Sequence, residues 1–289
     1  MGAKSSIIDN VCMFLLKKGF TVKNIKRGCF DILAKGDSFI LLIKALEDAN
    51  SISKEYSDEM ASVASYINVT PIIIAEKAGA RLESNVVYTR FGIYTVSFST
   101  FTNCLNDKLP FVKSTQAGLT ASIIGDELRR KREERGLSIN ALSKNLGISG
   151  RMVLKYENGL SEVTMNKALK IYDIFGESVF RETNIFRISE EPQSNAKTEL
   201  SKKYVRMGFD AADTKKSPFD IIARKNKIVI ITEVGDKVHP DSLAVSKLIE
   251  ADNLVIFSKK KPKDIAAITK EEFLDFEKSD ELIKFLREF

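Results

Sequence analysis

Asp31 with Lys44, and Asp220 with Glu233, are the side chains of this sequence best arranged for metal-assisted chemistry. Each aspartate closes an apolar strand and its companion lies on the strand that follows, in FDILAKGDSFILLIKA and in FDIIARKNKIVIITEV. Hydrolysis of a phosphodiester on such a pair of strands needs the aspartate and a second carboxylate to hold Mg2+. A cation close by, such as a lysine further along the second strand, would stabilise the developing charge. The trios read Asp31, Leu42, Lys44 and Asp220, Ile231, Glu233, so an apolar residue replaces the second carboxylate in both. One carboxylate does not hold a hydrated Mg2+ in a cleavage geometry, and the expectation is a scaffold with no catalytic residue, no metal and no cofactor. A simpler role for Asp31 and Asp220 is to cap a turn at a strand end. Lys44 and Glu233, opposite in charge at equivalent places, could pair across a pseudo-twofold axis.

Little else in the chain offers covalent or acid–base chemistry. His239, before Pro240 in a loop, is the only histidine, which sets aside most hydrolase mechanisms. Cys12, Cys29 and Cys104 are odd in number and lack the paired spacing of a zinc or redox centre, so they read as reduced thiols, two of them facing a core. The 289 residues, 44% hydrophobic, suffice for two or three domains, and a net charge of +6 fits a polyanionic partner. The apolar start is interrupted by Asp9 and Asn10 and stopped by Lys17 and Lys18, too short a run to span a membrane.

A second constellation, IGDELRRKREERGLSINALSKNLGISGRMVLKYENG, is suited to contact rather than catalysis. Counted from Ile139, it places Leu142, Leu146, Ile148, Val153 and Tyr156 where two steeply crossed helices share one small core. Ser143 supplies the small residue at the crossing and Gly147 the left-handed turn. Ser138 and Ser149 are placed to cap the two helices. The spacing therefore predicts a helix-turn-helix over Ile139 to Asn158. A preceding helix bears Arg129, Arg130, Lys131, Arg132 and Arg135, either as a contact surface or as a solvated face balanced by Glu133 and Glu134. A following helix would pack through Met165, Ala168, Leu169 and Tyr172.

This segment resembles the Cro/repressor-like helix-turn-helix family through Leu128, Arg129, Arg132, Gly136, Leu137, Ser138, Leu142, Leu146, Gly147, Ser149, Tyr156, Glu157 and Gly159. The family often has a glutamine directly after Ser138 that buttresses the recognition helix and touches phosphate, whereas Ile139 stands here. The resemblance implies double-stranded DNA as partner, with the helix from Ser149 to Asn158 in the major groove. Gly150, Arg151 and Lys155 are then the expected readers of base edges. Gly150 permits close approach, and Arg151 suits guanine O6 and N7. The amides of Ser138 and Ser149, with Arg129 and Lys144, are the expected phosphate contacts.

Around this centre the sequence repeats itself. Gly19-Phe20 and the strands from Phe30 recur as Gly208-Phe209 and the strands from Phe219, in one register, which argues for a duplicated domain. FVKS and LTAS, around Gln116, Ala117 and Gly118, could form a small hairpin, and the polar ISEEPQSNAKTE marks a second boundary. The fold class expected is α/β plus all-α, with domains at 1–115, 120–185 and 196–289. In it two copies with the layout of the PD-(D/E)xK nuclease fold flank a Cro-like helical bundle. With RFGIYTVSFSTF, the REERGLS…YENG core and SPFDIIARK, the whole layout resembles a family of archaeal helix-turn-helix transcriptional regulators. That resemblance implies a cytoplasmic, DNA-associated regulator acting as a homodimer without membrane attachment, and it leaves any small-molecule effector open. Two other functions stay in view: a metal-dependent junction or repair nuclease targeted by the helix-turn-helix, and an adaptor that holds DNA without reading its sequence.

Overall fold

A computed structural model of the chain describes residues 3–26, 28–186 and 191–289. Its contacts fall into two compact units, one made of 1–74 with 186–289 and the other of 75–185. The first cut therefore runs through a strand, the second falls at residue 185, just before the polar ISEEPQSNAKTE stretch, and the two repeats lie in one unit.

The first repeat opens with helix α1 (Ala3–Lys17), which packs on the meander β1 (Thr21–Asn24), β2 (Ile32–Lys35) and β3 (Ile40–Asp48). Ile7, Val11 and Leu15 recur every four residues and are all buried, so one stripe of α1 faces the sheet. Ile32 to Ala34 and Leu41 to Leu46 are buried without interruption, which is the pattern of strands covered on both faces. Helix α2 (Lys54–Ile67) follows, started by Ser53, whose hydroxyl accepts the Tyr56 amide, and ended by Asn68 in the left-handed region at φ 54°. Strand β4 (Thr70–Ala78) is the next neighbour of β3.

The middle unit contains β5 (Ala80–Arg81), β6 (Val86–Arg90), β7 (Ile93–Val96), helix α3 (Phe98–Cys104), β8 (Val112–Thr115) and β9 (Gly118–Ala121). Strands β8 and β9 form the hairpin expected around Gln116, Ala117 and Gly118. Helices α4 (Gly125–Glu134), α5 (Ile139–Leu146) and α6 (Gly150–Glu157), the short strand β10 (Val163–Thr164) and helix α7 (Met165–Phe175) complete it. The apolar stripe of α7 differs from the expected one. Ala168, Ile171 and Phe175 are buried, whereas Leu169 and Tyr172 are 50% and 43% exposed. Ile171 and Phe175 pack with Leu128 and Leu142 in one core, and the tyrosine hydroxyl stays on the open side of the helix with Leu169.

The second repeat runs through α8 (Glu199–Arg206), β11 (Asp210–Asp213), β12 (Ile221–Lys225), β13 (Ile228–Val234), α9 (Pro240–Ile249), β14 (Asp252–Phe257), β15 (Ala267–Thr269), α10 (Lys270–Asp275) and α11 (Ser279–Leu286). Thr21 opposes Lys35 across β1 and β2, and Asp210 opposes Arg224 across β11 and β12. Both pairs are related by one displacement along the chain, so the duplication extends to strand register. Strand β14 lies parallel to β13, joined by α9 as the crossover.

The two repeats bind each other reciprocally. Helix α2 packs on β12 of the other repeat, and its counterpart α9 packs on β1 and β2. Glu59 of α2 accepts the amides of Lys215 (3.0 Å) and Lys216 (2.6 Å) and the hydroxyl of Ser217 (2.8 Å). Asp241 of α9 accepts the amide of Lys26, the residue equivalent to Lys215, at 3.1 Å. Lys35 reaches Glu250 at the end of α9 (2.5 Å), and its equivalent Arg224 reaches the Ser65 carbonyl near the end of α2 (3.1 Å). Matching contacts made in both directions are those of an isologous, twofold-related interface, here built inside one chain. The pseudo-twofold pairing expected between Lys44 and Glu233 is not made, because each side chain is engaged within its own repeat.

All three cysteines are free. Cys29 and Cys104 are buried, and burial pushes their thiols up to about 12 and about 11, which keeps them protonated and unreactive.

Candidate nucleic-acid interface

Leu142, Leu146, Val153 and Tyr156 from α5 and α6 are buried with Leu128 of α4 and with Ala168, Ile171 and Phe175 of α7. This small core sets the angle at which α6 leaves the turn. Gly147 takes the left-handed conformation, φ 64°, at the end of α5, and Lys167 donates to the carbonyls of Leu146 (2.7 Å) and Gly147 (3.3 Å). A cation thus closes the C-terminus of α5, where the helix dipole favours one. Ser138 and Ser149 cap α5 and α6 as expected, their hydroxyls accepting the amides of Ala141 (3.1 Å) and Met152 (3.2 Å). The amides of Ser138 and Ser149 themselves have no acceptor among the described residues.

The departure from the family pattern at Ile139 and the missing side chain at Gly150 prove to be one feature. A Cβ at position 150 would lie 3.4 Å from Ile139 Cγ2 and 3.5 Å from Asn140 Oδ1. The β-branched side chain of Ile139 therefore leans on the bare backbone at the start of α6, an apolar buttress in place of a polar one.

The last turn of α6 is held by α4. Arg132 Nε and Nη2 donate to Glu157 Oε1 (2.6 Å) and Oε2 (3.2 Å), and its Nη1 donates to the Leu137 carbonyl (2.9 Å). Both side chains are buried, Arg132 at 7% exposure and Glu157 at 2%. Arg129 donates to Asn158 Oδ1 (2.9 Å) and lies 3.5 Å from Glu157 Oε2. Gly125 lets the start of α4 approach so closely that a Cβ there would stand 2.2 Å from the Glu157 carbonyl oxygen.

These contacts sort the basic residues. On α4, Arg130 is paired with Glu127 and Glu134, Lys131 donates to the Phe175 carbonyl, and Arg135 lies over the Phe175 ring. Arg132 and Arg129 fasten α6. In contrast Lys144, Arg151 and Lys155 are exposed, and their side chains make no ion pair or hydrogen bond among the described residues. Arg151, Leu154, Lys155 and Asn158 recur at helical spacing along the open face of α6, and Leu154 is 41% exposed. Leu154 is absent from the sequence-level candidates, although its spacing from Arg151 was enough to point to it.

The acidic positions of the repeats have different surroundings. Asp31 is buried, its Oδ1 accepting from Lys4 (2.9 Å) and Lys44 (3.3 Å) and its Oδ2 from the Ala45 amide (2.9 Å). Asp220 is exposed, and its Oδ2 accepts the Val234 amide at 2.7 Å. Glu233, where the other repeat has Lys44, is buried and accepts the His239 amide at 2.7 Å. Burial pushes its carboxyl above the usual range, against the pull of that amide. The folded protein thus holds the Glu233 proton more tightly than the unfolded chain does. The stability this confers is present below the ordinary glutamate range and is lost as pH rises. Glu233→Gln is accordingly expected to melt a few degrees above wild type at about pH 8, the gain vanishing toward about pH 4 in thermal scans. Among the described residues no three metal-ligating side chains converge, and no helix is long and apolar enough to cross a membrane.

Comparison with known proteins agrees with this geometry. Residues 4–110 match the model of a PD-(D/E)XK superfamily domain, and residues 128–180 match a helix-turn-helix model. Relatives provisionally named HTH-type transcriptional regulatory protein occur in archaea. One from Thermoplasma acidophilum is 31% identical over 88% of this chain and 86% of its own. One from Archaeoglobus fulgidus is 29% identical over 98% of both chains. One from Thermococcus gammatolerans is 26% identical over 98% of this chain and 96% of its own. No solved structure matches. With a relative 31% identical across most of both chains, and with the first repeat and the helix-turn-helix each matched by a family model, this chain belongs to the family of archaeal HTH-type transcriptional regulatory proteins.

Proposed function

We propose that the protein is a sequence-specific, non-catalytic regulator that inserts α6 into the major groove of double-stranded DNA and acts as a homodimer in the cytoplasm. One observation carries this reading. The basic residues of α4 are engaged within the protein, whereas Arg151 and Lys155 stand unpaired on the open face of the second helix of the pair. Arg151 offers guanine O6 and N7 a bidentate partner, and Lys155 is a second reader or a phosphate contact. Gly150 brings the helix close without reading. Lys144 and the amides of Ser138 and Ser149 hold phosphates, which fixes register. Arg129, tied to Asn158, acts first on the posture of α6 and reaches phosphate only with its outer edge. A homodimer would present two such helices to half-sites about 34 Å apart on a palindrome.

The test is selection from a random duplex pool followed by gel shifts. Arg151→Ala is expected to lose about 5- to 150-fold in affinity for the selected site and to relax preference at one base pair. Unchanged specificity would remove Arg151 from the reading surface. Binding that falls steeply with salt in wild type but ignores sequence would point to the adaptor instead. Metal-dependent cleavage of the same duplexes would point to the nuclease.

A further inference from the structure

The apolar residues of α6 divide sharply. Val153 is wholly buried, Tyr156 is 3% exposed and Met152 is partly buried, all facing the helical core. Leu154 is 41% exposed and stands between Arg151, one turn earlier, and Lys155, the next residue. A single exposed leucine is ordinary on a protein surface, so its exposure alone decides nothing. Its place does. It lies on the one stripe of α6 that the core leaves open, between the two unpaired cations of that helix.

We propose that Leu154 is a third base-reading residue and that it packs on the C5-methyl group of a thymine in the major groove. This rests on the reading of α6 as the recognition helix. Carrying Arg151 and Lys155 to base edges necessarily carries Leu154 into the groove with them. There the thymine methyl is the largest apolar group that any base pair offers, and the heteroatom edges are hydrated donors or acceptors. Opposite those edges the leucine would strip water and return nothing, whereas opposite a methyl both apolar surfaces leave water together. The helix rises about 4.5 Å from residue 151 to residue 154, close to the 3.4 Å spacing of base pairs. The thymine should therefore lie one base pair, at most two, from the guanine read by Arg151.

Deoxyuridine tests this directly, because it keeps the pairing face and O4 of thymine and lacks only the methyl. The selected duplex is remade with each thymine replaced singly, and the full-length chain is titrated by fluorescence anisotropy. Wild type is expected to lose roughly fourfold in affinity at one thymine, the value of about one buried methyl-sized group. That thymine should adjoin the base pair whose preference is relaxed in Arg151→Ala. In Leu154→Ala the same replacement should change nothing, while discrimination at the Arg151 position persists. If no deoxyuridine weakens wild type, or if Leu154→Ala suffers the same loss as wild type, the inference falls, and Arg151-dependent specificity still leaves the regulator reading standing. If wild type prefers no sequence at all, both fall. The wild-type series needs no variant to fold, so a misfolded Leu154→Ala could not hide a negative result.

Discussion

Glu157→Ala is expected to cost the helix-turn-helix about 3–5 kcal/mol and, with it, DNA binding. The carboxylate is 2% exposed and accepts from Nε and Nη2 of Arg132, itself 7% exposed. Removing it leaves a guanidinium shut away from water with only the Leu137 carbonyl and an exposed Glu133 beside it. Arg129 loses the same partner, so of these ties between α4 and the end of α6 the Arg129–Asn158 hydrogen bond alone remains. The surface pairs of Arg130 on the same helix set the contrast, since exposed ion pairs contribute about 0–1 kcal/mol. Domain stabilities are about 5–15 kcal/mol, so this one change consumes a large part of the total. The chain has no tryptophan, and urea denaturation is best followed by far-ultraviolet circular dichroism. Replacing both partners, as Arg132→Met with Glu157→Leu, should recover much of the loss, because the penalty comes from the charge left alone rather than from the pair. A loss below about 1 kcal/mol for Glu157→Ala would mean that Arg132 is solvated, and that the hold on α6 comes from packing alone.

Arg132 also marks where sequence stops being informative. The helix-turn-helix was legible because its determinants are local: apolar residues at fixed intervals, a glycine at the turn, a serine before each helix. Those spacings placed Leu142, Leu146, Val153 and Tyr156 in the core, where they are. Arg132 sits in a run of basic residues and differs from Arg130 only in having Glu157 across the fold, a partner far along the chain. The apolar face of α7 was ambiguous for a related reason. Leu169 and Tyr172 line one side of the helix and Ile171 and Phe175 another, and only the neighbours they meet decide between them. The duplication could be read from Gly-Phe and Phe-Asp-Ile landmarks in one register. The mutual grip of the two repeats could not, because Glu59 and Asp241 take backbone amides, and a backbone amide has no signature in sequence. Lys44 and Glu233 were matched by charge and repeat position. Asp31, the residue just before β2, was the closer partner for Lys44.

That partnership makes the second large prediction. Asp31→Ala is expected to destabilise the unit holding the two repeats by about 3–5 kcal/mol, because it abandons a buried cation. Lys44 is 7% exposed, and without Asp31 its ammonium keeps the Gly28 carbonyl at 2.9 Å and the Tyr56 ring at 5.6 Å. Burial already lowers the affinity of Lys44 for its proton, and Asp31 is the largest influence opposing that shift. Without Asp31 the shift deepens, and at neutral pH the unfolded chain binds the Lys44 proton more tightly than the folded protein does. Stability then rises with pH, so the deficit of the variant should shrink as pH approaches the ordinary lysine range. Adding Lys44→Met should restore most of it at neutral pH. Asp220→Ala should cost about 1 kcal/mol or less, since Asp220 is exposed and accepts only the Val234 amide. Thermal melts of the four proteins at two pH values decide the matter. Alike melts of Asp31→Ala and Asp220→Ala would mean that Lys44 is solvated once its partner is gone, and a role of Asp31 in metal-assisted cleavage would show separately, as a Mg2+-dependent activity lost in Asp31→Ala. A wide gap between the two melts, closed by Lys44→Met, makes Asp31 the counter-ion of a buried lysine within the first repeat.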